Sequence, residues 1–253
     1  MIEEKIKEVA RILAQRPALV ILTGAGVSAE SGVPTFRGPD GLWRQFRAED
    51  LATPEAFRRH PELVWEWYDW RRQKIHSVEP NPAHLTLARW EKYFPYFVLI
   101  TQNVDGLHQK AGSTRILELH GNIWKVRCTG EGKVWENRQV PLSQIPPLCS
   151  DCGSLLRPHV VWFGEALPAD VLEEAFKACS QAHVMLVIGT SALVQPAASL
   201  PLFAQQHGAT IIEINLEPTP LSSYADFSLY GKAGQILPLI DQLLPRENPE
   251  VKG

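Results

Sequence analysis

The 253-residue chain predicts an α/β protein, a doubly wound parallel sheet carrying a smaller composite module, and three observations predict it. Apolar runs recur that are continuous rather than alternating, as strands buried on both faces require. Stretches of helical periodicity separate them, the rhythm of strand–helix–strand units. Two regions, 38–91 and 122–157, break that rhythm, the first rich in Trp and Arg and the second holding three of the four cysteines.

Taken in order, Ile2, Ile6, Val9, Ile12 and Leu13 recur at helical spacing and predict an amphipathic helix packed under the sheet. The run 18–22 is the first strand, and 97–101, 115–119, 183–189, 210–215 and 226–230 follow as further strands. Helices are predicted over 168–181, 196–207 and 234–244. The large domain is therefore assembled from 1–37, 92–121 and 158–245, and the small one from 38–91 and 122–157. The polar stretch 246–253 is expected to be loose.

Composition narrows the function. A net charge of −3 with no block of Lys or Arg argues against a specific nucleic-acid partner. The apolar runs are too short to span a bilayer, and the N-terminus mixes both signs of charge without an apolar signal core. A cytoplasmic protein, with a monomer the favoured state, is the expectation. Four cysteines with one close pair suit a metal site in a reducing compartment better than a disulfide framework.

The first strand runs into Thr23-Gly-Ala-Gly-Val-Ser-Ala29. Gly24 and Gly26 permit a tight turn close to a pyrophosphate, and Ala29 lets the following helix pack on the strand, the order of a Rossmann-like dinucleotide site. A hydride-transferring unit would continue into a second strand with an acidic residue about 20 positions on. Glu49 and Asp50 stand at that distance without an apolar run before them, which disfavours a dehydrogenase. Gln102, Asn103 and Asp105 follow the strand 97–101, where open α/β sheets bind ligands, and an Asn–Asp pair suits a carboxamide; Asp105 also suits a plain helix cap. His120 follows the strand 115–119, placed for a general base at neutral pH. The other histidines, His60, His76, His84, His108, His159, His183 and His207, read as structural.

With Gly24–Gly32, Thr35–Gly38, Thr101–Asp105, Leu119–Gly121, Val160–Glu165, Gly189–Ser191, Ile214–Glu217 and Gly231–Gly234 in this order and spacing, the chain resembles the sirtuins, NAD-dependent protein lysine deacylases, over nearly its whole length. The resemblance implies an NAD site lined by Gly24, Ala25, Gly26, Ala29, Glu30, Thr35, Phe36, Arg37, Gln102, Gly189, Thr190, Ser191, Asn215, Leu216, Glu217 and Ala233. It implies that Asn103 and Asp105 hold the nicotinamide amide and that His120 is the base. The acyl-lysine oxygen would attack the ribose as nicotinamide leaves, and His120 would then take a ribose hydroxyl proton, giving free lysine and O-acyl-ADP-ribose. Val161, Trp162, Phe163, Gly164 and Glu165 would pair through their backbone with an extended acyl-lysine peptide; the run also suits a plain core strand.

Tyr68 and Arg71 stand three apart on a predicted helix and so on one face. The pair resembles the desuccinylase branch of the family: a guanidinium recognises a carboxylate-tipped acyl group, and Ala52 resembles the small residue that widens that pocket. Succinyl, malonyl and acetyl groups are the expected substrates, with a predominant deacetylase and a non-catalytic NAD sensor as alternatives. The family's zinc module has two Cys-x-x-Cys pairs. Here Cys149 and Cys152 form one, but Cys128 is followed three residues on by Glu131. Two readings stand: these four residues bind zinc, or the module is metal-free and held by Ile123, Trp124, Val126 and Trp135.

Overall fold

The computed structural model describes residues 2–35, 41–42 and 47–245. Its large sheet has six strands, all parallel: β1 (Leu19–Thr23), β2 (Phe97–Thr101), β3 (Ile116–Glu118), and, after the small sheet, β7 (Val184–Ile188), β8 (Thr210–Asn215) and β9 (Phe227–Tyr230). The order is β3-β2-β1-β7-β8-β9. The chain leaves β1 in one direction for β2 and β3 and later returns to its other side for β7, so the strand order reverses between β1 and β7. Ligands of open α/β sheets bind outside the strand ends at such a reversal.

Every residue of β1, Leu-Val-Ile-Leu-Thr, is buried, because successive side chains feed opposite faces. Leu19 and Ile21 join a core with α1 (Ile2–Ala14), α6 (Pro82–Tyr93) and α10 (Ala233–Leu243). Val20 and Leu22 join a second core with α8 (Ala169–Gln181) and α9 (Leu200–Gln206). In α1 the buried positions are Ile6, Val9, Ala10 and Leu13, while Ile2 is exposed. The segment expected as one helix over 196–207 divides into a 3-10 turn, Ala197–Ser199, and α9.

A third core sits beside the carboxyl ends of β2 and β3. It joins α3 (Ala48–Leu51), α4 (Pro54–Arg59) and α5 (Pro61–His76) to an antiparallel sheet of β4 (Gly121–Cys128), β5 (Val134–Glu136) and β6 (Leu156–Val160), in the order β5-β4-β6. Trp65 of α5 is fully buried and donates its indole N–H to Leu156 O at 2.7 Å, tying the helical part to the sheet. α6, although all but its last two residues fall within 38–91, packs Ala83, Leu87 and Trp90 into the core under the large sheet. Among the described residues no helix is long and apolar enough to cross a membrane. The expected tail 246–253 lies outside the described residues.

Candidate active site

The predicted residues of the large domain follow strand ends along one rim. Gly24 and Gly26 follow β1, Gln102 to Asp105 follow β2, His120 follows β3, Gly189 to Ser191 follow β7, and Asn215 to Glu217 follow β8. The two glycine turns meet face to face: Gly26 N donates to Gly189 O at 2.8 Å and Gly24 N to Ile188 O at 3.0 Å. A Cβ on Gly24 would stand 2.7 Å from Gly189 O, and one on Gly189, where φ is +60°, 2.5 Å from Val27 N. These glycines are therefore demanded first by each other, an approach that the sequence reading assigned to the ligand.

Beneath the turns lies a buried polar network. Asn103 Nδ2 donates to Gly24 O at 3.0 Å and to Ser28 Oγ at 3.2 Å, which spends both amide hydrogens and leaves Oδ1 as an acceptor. His84 Nδ1 accepts from Asn81 N at 3.3 Å, so its Nε2 carries the proton that faces Ser28 Oγ at 3.3 Å. Ser28 in turn hydrogen-bonds the buried Asp105 carboxyl. Burial, the dominant influence, pushes that carboxyl above its ordinary range against the Leu107 and Ser28 hydrogen bonds and the Arg71 charge. Asp105 Oδ1 also accepts from Leu107 N at 2.9 Å at the start of α7 (Leu107–Lys110), so it caps that helix as well as joining the Ser28 network. Ser28 and His84 were not among the predicted site residues. The Asn81-Pro-Ala-His84 capping box is a local signal, but its contact with Ser28 is long-range.

His120 Nδ1 stands 3.0 Å from Gln102 O. A carbonyl only accepts, so Nδ1 carries the hydrogen and Nε2 keeps a lone pair. Burial lowers its pKa, outweighing the Gln102 hydrogen bond that raises it, and the ring is neutral at pH 7.

His120 lines a cavity of about 250 Å³ together with Gln102, Ala52, Tyr68, Arg71 and Val160 to Glu165. The structure thus brings together the predicted base and the predicted acyl-recognition residues, which are distant in sequence. The 160–165 run is not one strand: β6 ends at Val160, a turn follows at Phe163–Gly164, and Gly164 has φ +86°. Val161 N and Phe163 N are bonded to His120 O and Ala52 O, both at 2.9 Å. A second recess, about 180 Å³, is lined by Gly26, Ala29, Glu30, Gly189, Asn215, Leu216, Lys232 and Ala233 among others. Glu30 accepts there from Gly234 N at 2.8 Å, and Asn215 Nδ2 donates to Thr190 O at 3.0 Å. Gln102 Nε2 reaches Thr190 Oγ1 at 3.0 Å. Glu217 is exposed beyond this lining, Ala25 opens the short helix α2 (Ala25–Ala29), and Thr35 O accepts from Leu42 N at 2.9 Å. Phe36 and Arg37 lie outside the described residues.

The sequence profile of the Sir2 family matches residues 24–196, from the first glycine turn to the loop after β7. The chain belongs to the Sir2 family. Its relatives include an NAD-dependent protein deacylase of Aquifex aeolicus, 58% identical over 85% of this chain and 90% of that protein. Another, of Pyrococcus furiosus, is 53% identical over 93% of this chain and 97% of that one. Among solved structures, a Sir2 homolog–NAD complex superposes with a TM-score of 0.87 at 50% identity, covering 93% of each chain. A Sir2–p53 peptide–NAD+ complex superposes at 0.82 with 36% identity, covering 92% of this chain and 95% of that chain.

In this Sir2-family chain Cys128, Glu131, Cys149 and Cys152 converge at the open end of the small sheet, with one donor atom of each lying within 4.8 Å of the others. All four cysteines of the chain are free thiols. Cys128 and Cys152 Sγ are 3.4 Å apart, near the separation that two thiolates about 2.3 Å from one tetrahedral zinc would have. The donor set fits such a cation. Lys133 Nζ bridges Glu131 at 2.9 Å and Asp151 at 3.3 Å.

Proposed function

We propose that this protein is an NAD-dependent protein-lysine deacylase that prefers succinyl and malonyl groups and removes acetyl groups less well, releasing nicotinamide and O-acyl-ADP-ribose. The observation that carries the preference is the shared cavity: Tyr68, Arg71 and Ala52 line the same space as His120. Ala52 leaves room at the wall, while the Arg71 guanidinium, 4.8 Å above the Trp67 ring, meets a terminal carboxylate with charge-assisted hydrogen bonds.

NAD, when bound, supplies an activated ribose carbon that accepts the acyl oxygen. The chain's own residues do the rest. Asn103 Oδ1 accepts from the nicotinamide NH2, since its own amide hydrogens are spent, and Asp105 faces the same group. His120 Nε2 takes the proton of a ribose hydroxyl, its imidazole held neutral by burial and aimed by Gln102 O. The rim residues Gly24, Gly26, Glu30, Gly189 to Ser191, Asn215 and Ala233 bind the rest of the dinucleotide. The peptide runs along 161–165. Cys128, Glu131, Cys149 and Cys152 hold zinc in a structural role away from the chemistry.

The test is Arg71→Met assayed on matched succinyl-lysine and acetyl-lysine peptides. Loss of the succinyl advantage with acetyl turnover retained supports the reading. An unchanged preference removes the carboxylate clamp, and NAD binding with no turnover of either peptide puts the sensor reading first.

A further inference from the structure

Tyr68 holds one hydroxyl hydrogen and two lone pairs, and which of them faces the acyl chamber decides whether a carboxylate is attracted or repelled. Trp162 Nε1 stands 2.9 Å from Tyr68 Oη. An indole nitrogen only donates, so Oη is the acceptor in that bond and its own hydrogen is left for another partner. Among the described residues none accepts it. Tyr68 lines the cavity, and burial, the largest influence, holds its phenol above the ordinary range so that the hydrogen stays on.

Trp162 is itself held on both sides. The Arg157 guanidinium lies 3.6 Å over its ring and forks onto Glu165, Nη1 to Oε1 at 2.7 Å and Nη2 to Oε2 at 2.9 Å. Glu165 Oε2 also accepts from Trp162 N at 2.8 Å. The turn after β6 thus closes on itself around the indole and points its N–H at Tyr68.

We infer that Trp162 is a positioning residue for acyl specificity: by donating to Tyr68 Oη it turns the phenol hydrogen into the chamber, where an acyl carboxylate, an acceptor only, receives it. The inference rests on the acidic-acyl reading of the cavity and adds the residue that sets the polarity of the Tyr68 hydroxyl. A phenol spending its hydrogen on a protein acceptor would offer only lone pairs to the carboxylate.

The experiment compares kcat and KM of the full chain with NAD on succinyl-lysine and acetyl-lysine peptides of one sequence, for wild type, Trp162→Phe, Tyr68→Phe, the double variant and Arg71→Met. A hydrogen bond to a charged group predicts that Trp162→Phe and Tyr68→Phe each lower the succinyl-to-acetyl ratio of kcat/KM about tenfold, chiefly through the succinyl KM. The double variant falls no further than the lower of the two singles, because both act through one hydroxyl. Benzothienylalanine at position 162, which replaces the ring N–H with sulfur at nearly the same shape, gives the same loss even if Trp162→Phe folds poorly. An unchanged ratio in that isostere, or losses that multiply in the double variant, overturns the role of Trp162. If Arg71→Met abolishes the preference while the isostere does not, the acidic-acyl reading stands and only this inference fails. A wild type with no succinyl preference overturns both.

Discussion

His120 Nδ1 faces the backbone carbonyl of Gln102 at 3.0 Å, which fixes Nε2 as the basic nitrogen turned to the cavity. Burial lowers the pKa of this ring below the ordinary 6.5. The base role proposed for His120 needs the neutral form, so kcat/KM is expected to rise with pH on its acid limb and to reach a plateau by neutrality. A pH profile on an acetyl-lysine peptide, which has no acyl carboxylate to titrate, is expected to give an acid midpoint below 6.5.

The paired glycine turns predict a stability effect independent of chemistry. Gly189→Ala sets a Cβ 2.5 Å from Val27 N at a φ of +60°, where backbone opposes it and cannot swing aside. Denaturant unfolding is expected to show a loss of about 2 kcal/mol or more. Gly112→Ala, also at positive φ but with nothing within 4 Å, is the control for backbone strain alone and loses less.

A buried imidazole pair under the site predicts acid lability. The rings of His84 and His108 lie 4.8 Å apart, and burial lowers His84 to about 4 and His108 well below its ordinary value. The folded state therefore binds fewer protons than the unfolded one. Stability present above pH 6.5 is lost as the pH falls toward 4, with His84 alone accounting for about 3 kcal/mol. Unfolding free energies measured across that range by denaturant titration check the slope; a flat profile contradicts it.

The glutamate in the cysteine cluster predicts a weaker metal site. Glu131→Cys restores a fourth thiolate and is expected to slow zinc transfer to a chromophoric chelator, whereas Glu131→Ala speeds it. Because Cys128 and Cys149 are buried in the third core, chelation is also expected to lower the melting temperature of the wild type. No zinc release, and no effect of a chelator on melting, would favour the metal-free reading.

The large sheet was legible because its signal is local: each of its continuous apolar runs is a strand within two residues of its expected ends, and the rim follows because the residues expected to meet the ligand stand directly after those runs. The small sheet was not. β5, Val-Trp-Glu, is exposed throughout and so presents no buried face, and β6, Leu-Arg-Pro-His-Val, alternates buried and half-buried residues but places at its centre Pro158, which lacks a backbone N–H and argues against a strand. The apolar run at 160–165 bends because Gly164 takes a positive φ and Glu165 folds back onto Arg157 and Trp162 N, partners invisible to an apolar count. Ser28, His84 and Asn103 meet only after three separate segments fold together, and no spacing rule announces that contact. Tyr68 and Arg71 are singled out only by their resemblance to a desuccinylase pair; they lie among Trp65, Trp67 and Trp70 on a helix whose buried residues equally suit plain core packing.

The most direct measurement is a one-pot competition: equal amounts of acetyl-lysine and succinyl-lysine peptides, purified protein and NAD, followed by mass spectrometry, with His120→Ala alongside. The succinyl peptide is expected to disappear first, only with NAD, with one O-succinyl-ADP-ribose and one nicotinamide formed per lysine freed, and His120→Ala is expected to slow this by about a hundredfold or more. Acetyl removal outpacing succinyl removal, or unimpaired turnover by His120→Ala, would contradict this.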